Sequence, residues 1–348
     1  MAGPRGYHSY RGRGSKGKAV LAAVLVLVIL ASVGFIMLQK YIVYDETGTP
    51  HLMLPEKPPE QTAPEKEEEP VDLKIQAPET RMPARVQALA LAETPLTEWS
   101  AAQPEALMAS SVNYNAVVLT MKDSAGRVYF DAGTPEAAPF VETEEATAGA
   151  LQAALADSRY AAVARLSCFH DPKAANANVE TMGLENTGGY IFYDGNNSQW
   201  LDPGKPAARQ YLCDLAAELA KLGFDEILLT DVSYPTEGKL DKIDYGETMK
   251  AQNFLTFLEQ MRLALAPYDV TLAIELPAQV IAEGSDPVAG LMLTDIAPEV
   301  DRICAPASAG DAASFAAKVS AAGGRAFAAE LAAGDGAPSA GSYLHLAR

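Results

Sequence analysis

Charged side chains recur in this chain at the ends of short apolar runs, where a buried charge is expensive and calls for a partner or a function. Lys122 and Asp123 follow NAVVLTM (115–121), and Arg165 sits inside AAVARLSCF (161–169) with His170 and Asp171 just beyond. Asp231 closes EILLTD (226–231), Glu275 interrupts VTLAIEL (270–276), and Glu330 interrupts RAFAAEL (325–331). Several carboxylates with a few bases and two nearby aromatics, Trp200 and Tyr234, form an inventory suited to sugar chemistry. Glycoside hydrolysis needs one carboxylic acid to protonate the leaving oxygen, and a second carboxylate to attack or to activate water. The expectation is Asp231 as nucleophile or base and Glu275 as general acid. Lys122, Asp123, Arg165, His170, Asp171, Trp200, Tyr234 and Glu330 would bind the sugar.

Simpler roles compete at some positions. Asp123 opens the turn KDSAGRV, where Asp commonly bonds its own backbone. Asp171 and Asp202 each precede a proline and suit helix entry. Asp225 and Glu226 fall at the start of their run, the end that serves stability in a parallel barrel. The three cysteines, Cys168, Cys213 and Cys304, are too far apart for a metal or disulfide pattern and read as buried thiols. The four histidines are scattered. No metal site and no cofactor is expected.

Something must hold these groups together. Besides the five runs above, RVQALALAE (85–93), VDRICAP (300–306) and SYLHLA (342–347) have strand character. Between them lie amphipathic stretches, the best being 205–222, ended by Gly223, and 247–266, ended by Pro267. Alternating strands and helices mean parallel strands with helical crossovers. Eight strands in this length predict a (β/α)8 barrel, with an open doubly wound sheet as the alternative. The link AAGDGAPSAG before the last run is too short for a helix, so the final unit is expected to be incomplete.

The domain is expected to be exported. Residues 19–38 are twenty uncharged residues, spanning about 30 Å as a helix, enough for a bilayer's hydrocarbon core. Residues 1–18 carry five basic residues and no acid, which places them in the cytoplasm and the rest outside the cell membrane. A cleaved signal peptide is the competing reading. Residues 39–81 read as a juxtamembrane segment and a stiff Pro/Glu-rich linker, and 82–348 as the barrel domain. Net charge is −18 despite the basic terminus. So acidic a domain excludes nucleic-acid binding by phosphate neutralisation and leaves carbohydrate as the expected partner.

NAVVLTMKDSAGRVYF (115–130), RLSCFHDP (165–172), WLDP (200–203) and LGFDEILLTDVSYP (222–235) resemble, in order and spacing, a bacterial family of glycoside-hydrolase domains. The resemblance covers about residues 83–310. It implies a TIM barrel distantly similar to α-amylase-like enzymes, membrane-anchored or secreted. Lys122, Asp123, Arg165, Phe169, Asp171, Trp200 and Asp202 match the family pattern. Two of its strand Asp positions fall on Thr120 and Thr230, an Arg position falls on Ser233, and the family's Pro-Met-Tyr-Pro-like signature is missing from ICAPASAG (303–310). Threonine cannot exchange a proton near neutral pH. The resemblance therefore implies either a rebuilt pair, Asp231 with Glu275, or a descendant that binds glycan or an envelope protein without turnover.

Overall fold

The computed structural model describes residues 42–44, 50–52, 82–90, 114–142, 149, 151–152, 155–156, 159–332 and 334–346. The chain divides into two units, Met1–Lys74 and Ile75–Arg348. In the first, Ile42–Tyr44 and Pro50–Leu52 pair as a short antiparallel ladder, in the stretch read as a juxtamembrane segment. The expected membrane span at 19–38 and most of the linker lie outside the described residues. Among the described residues, no helix is long and apolar enough to cross a membrane.

The second unit is a closed barrel of eight parallel strands: β1 (Gln87–Ala90), β2 (Ala116–Lys122), β3 (Ala161–Ser167), β4 (Glu226–Thr230), β5 (Thr271–Glu275), β6 (Arg302–Pro306), β7 (Phe327–Leu331) and β8 (Ser342–Leu346). Seven fall within one of the eight expected runs, and β2 runs one residue past the end of its own, to Lys122. Closure is made by β8 on β1, with Leu344 beside Ala88 and Leu346 beside Ala90. That pairing rules out the open sheet. Helices α1 (Pro172–Ala177), α2 (Pro206–Leu222), α3 (Lys250–Leu265), α4 (Ala278–Glu283), α5 (Leu293–Ile296) and α6 (Ala312–Ala321) form the crossovers described. The described residues between β7 and β8 contain no helix, as the length of that link requires.

Alternation along the strands sorts the apolar residues into two cores. Val118, Val163, Leu228, Ala273, Cys304, Ala328 and Leu344 fill the lumen. Leu119, Ala164, Leu166, Leu229, Ile274, Ile303 and Ala329 face outward and pack under the helices. All three cysteines are buried and free. The helices end where the sequence says they should. Proline opens α2, and Gly223, at φ 104°, closes it in the left-handed region that glycine tolerates.

Two features at the strand tops decide which side chains face the cleft. The β2–β3 register shifts between Thr120 and Lys122, so Thr120 lies beside Arg165 but Lys122 beside Leu166. Leu166 faces the helices, so the shift turns Lys122 away from the lumen. At the end of β4, Asp231 adopts a left-handed backbone, φ 52°. Asp is among the few residues that tolerate it.

Candidate functional site

The lumen floor is closed by an ion pair and carboxylate hydrogen bonds at the N-terminal strand ends. Glu226 accepts a hydrogen bond from Arg302 Nε at 3.1 Å and another from Thr271. Asp225 accepts from the Ala162 N–H at 2.8 Å. Both acids hold strands together far from the cleft, as their place at the strand starts foretold.

At the opposite mouth, three charged side chains converge from alternate strands. Arg165 on β3 donates through Nη2 to Glu275 Oε2 on β5 at 3.0 Å, and through the same nitrogen to Glu330 Oε1 on β7. Tilted barrel strands bring alternate members to one level, so a layer is built from odd or even strands. Arg165 and Glu330 are largely covered, at 13% and 6% side-chain exposure, while Glu275 keeps 26% and is the member open to the cleft. Burial first, then the charge of Glu330, push the Glu275 carboxyl up to about 7; Arg165 pulls the other way and Asp231 adds to the rise. A carboxylic acid of that kind still carries its proton near neutrality, as a general acid must.

Asp231 follows β4, next to β5. One step beyond the inward Thr230, a strand residue would point to the helices. Its left-handed backbone instead brings Oδ2 within 2.6 Å of Ser167 Oγ and 3.4 Å of Thr230 Oγ1, both of which donate to it. Ser167 is paired with Thr230 across the β3–β4 ladder and is buried. The acid that strand alternation would send outward is thus re-aimed toward the mouth. Ser167 was missed in the sequence, although it lies two residues beyond Arg165 and so on the same strand face.

The remaining expected residues divide. His170 and Trp200 stack at 4.5 Å between ring centroids and 15° between planes. Their polar atoms are engaged: His170 Nε2 with Ser198 Oγ at 2.7 Å, and Trp200 Nε1 donating to Asp194 at 2.9 Å. Since the Ser167 hydroxyl also reaches the His170 carbonyl at 3.3 Å, this ring pair flanks the Asp231 side of the mouth.

Lys122, Asp123, Asp171 and Tyr234 do not present themselves to a sugar. Lys122 and Asp171 are fully buried against each other at 3.0 Å. Lys122 also donates to the Ser167 carbonyl at 2.8 Å, and Asp171 accepts the Ala174 N–H at 2.9 Å as the cap of α1. Asp123 ties its own turn, accepting from the Ala125 and Arg127 N–H groups, Arg127 Nε and Tyr129 OH. Burial would raise its carboxyl, but the hydrogen bonds from Arg127 and Tyr129 and the Arg127 charge hold it below the usual carboxylate range. Tyr234 is fully buried, takes a 2.8 Å hydrogen bond from Asn253, and packs on Tyr245 and Phe254. Asp202 is not a helix cap: Lys205 stands at the cap of α2, and Asp202 accepts the Gly204 N–H in the turn before it. The two threonines at the family's Asp positions both lie on the lumen side. Thr120 Oγ1 and the nearby Arg165 Nε are buried without hydrogen-bond partners.

No curated protein matches the sequence. Among solved structures, the glycoside hydrolase domain of PgaB (BpsB) from Bordetella bronchiseptica is 16% identical, with a TM-score of 0.51 over 75% of this chain and 93% of that one. A hypothetical protein from Ruminiclostridium thermocellum ATCC 27405 is 24% identical, with a TM-score of 0.45 over 54% and 96%. The glycoside hydrolase domain of PelA from Pseudomonas aeruginosa is 16% identical, with a TM-score of 0.39 over 72% and 85%. The first of these likenesses bears on the fold alone, a barrel of alternating strands and helices. Residues 94–307, more than half of the chain, match the model of the family described as "Putative glycosyl hydrolase domain", and the chain belongs to that family.

Proposed function

We propose that this protein is a membrane-anchored glycoside hydrolase that cleaves a carbohydrate of the cell envelope or its surroundings. The observation that carries the reading is the pair of carboxyl groups at the ends of adjacent strands. Asp231 is turned into the mouth by its left-handed backbone, and Glu275 is held protonated to about 7. Glu275 donates its proton to the leaving glycosidic oxygen. Asp231, held by the Ser167 and Thr230 hydroxyls, attacks the anomeric carbon or takes a proton from the water that does. Arg165 fixes Glu275, and the His170–Trp200 stack offers an apolar ring face on which a sugar can rest. The anchor at residues 19–38 keeps the barrel at the envelope, where such substrates are.

A second reading, glycan binding without turnover, is favoured by Thr120 and Thr230, which leave two lumen positions without an ionisable group. The purified full-length chain decides between them on a panel of envelope polysaccharides, by release of reducing ends and by binding. The proposal expects release, cut at least about 100-fold in both Glu275→Gln and Asp231→Asn, the scale of lost acid–base catalysis. Release unaffected by either substitution contradicts the site, and binding without release establishes the second reading.

A further inference from the structure

Glu330 has no role in the two-carboxylate scheme, yet its carboxylate ends on the same atom as that of the proposed acid. Arg165 Nη2 meets Glu275 Oε2 at 3.0 Å and Glu330 Oε1 on its other side. One nitrogen cannot neutralise two carboxylates. Glu330 is the more covered of the two, at 6% against 26% side-chain exposure. The contact with Glu330 takes up part of the guanidinium that would otherwise serve Glu275 alone, and the charge of Glu330 beside it favours the protonated form of Glu275.

From this geometry we infer that Glu330 is a positioning residue: it occupies Arg165 and so keeps the shared proton on Glu275, on the cleft side of the pair. The inference deepens the proposed role of Glu275 and rests on it for its catalytic meaning, but the proton's location can be read without any substrate. The charged and titratable groups facing Glu275 are Arg165 on β3, Asp231 after β4, the buried Cys304 thiol on β6 and Glu330 on β7. Asp231 also raises Glu275, but its carboxylate is taken up by Ser167 and Thr230, whereas Glu330 touches the same guanidinium. Buried Arg165 Nε lacks a hydrogen-bond partner, so the bonds of this guanidinium to the two acids run through Nη2.

The sign of the effect follows directly. Glu330→Gln removes the repelling charge and gives Arg165 wholly to Glu275, which favours the ionised form and lowers its midpoint. Glu330→Asp restores the charge. The test is the carboxyl-carbon resonance of Glu275 in the ligand-free full-length chain, labelled at glutamate Cδ and assigned by its loss in Glu275→Gln. The expected result is a midpoint near 7 in the wild type, a fall of at least about one pH unit in Glu330→Gln, and recovery in Glu330→Asp. A merely structural Glu330 would alter stability without moving the Glu275 midpoint in this order. An unchanged or higher midpoint in folded Glu330→Gln overturns the inference. Since no turnover is measured, failure of the hydrolase proposal leaves this result intact, and the reverse holds too.

Discussion

At Lys122 a one-residue register shift decides what the side chain can do. Read along the strand, Lys122 shares a face with Thr120 and belongs to the cleft. The shift sets it beside Leu166 and sends its ammonium under the helices to Asp171. A pair with both members fully covered depends on each partner, because a lone charge left there has no compensation. Lys122→Met should therefore cost about 3–5 kcal/mol in urea unfolding. Combining it with Asp171→Asn should recover part of that loss, and a single variant as stable as the wild type would refute the pair's role. The same one-residue arithmetic worked in reverse at Asp231. Period-two alternation sends it outward, and only the φ of 52°, invisible in composition, brings it back. Glu275 and Arg165 were legible because a charge inside an apolar strand has few explanations. Ser167 was legible in principle, and Tyr234 misled because an aromatic after a strand serves a core as readily as a sugar.

Among the elements, every barrel strand was visible in the sequence. Buried parallel strands are short apolar runs, and the glycine- and proline-marked helices between them leave one arrangement. Bulges and close approaches were not, since they depend on where chain segments meet in space. The turn after β2, itself legible as KDSAGRV, shows the difference. Gly126, at φ 80°, lies so close to α1 that an added Cβ would overlap Asp171 Oδ1. Gly223 needs a left-handed backbone too, but the space around it is open. Gly223→Ala should cost about 1 kcal/mol, the backbone term alone. Gly126→Ala should cost at least about twice that, since it also disturbs the buried Lys122–Asp171 pair. Equal losses in thermal unfolding would mean that the close approach carries no energy.

For the molecule as a whole, the barrel's polar groups are partitioned by end. The buried Glu226–Arg302 ion pair helps close the N-terminal mouth away from the cleft, while the Arg165–Glu275–Glu330 cluster and the re-aimed Asp231 carboxylate gather at the C-terminal one. Function is concentrated at that second end in barrels of this kind. The proposed setting at the membrane depends on residues 19–38 alone. Deleting them should move the protein from the carbonate-resistant membrane pellet to the soluble fraction without changing the barrel's unfolding temperature. Retention in the pellet would locate the attachment elsewhere.

The pH dependence of reducing-end release tests the central claim most directly, because it joins the chemistry to one carboxyl group. Glu275 acts as an acid only while protonated, so activity should be held at lower pH and lost as pH rises through about 7, the value its surroundings impose. In Glu330→Gln that alkaline limb should move to lower pH, and in Glu275→Gln it should disappear with the activity. The account predicts a limb near 7 that follows these substitutions. A limb in the same place in Glu275→Gln, with turnover intact, would contradict it.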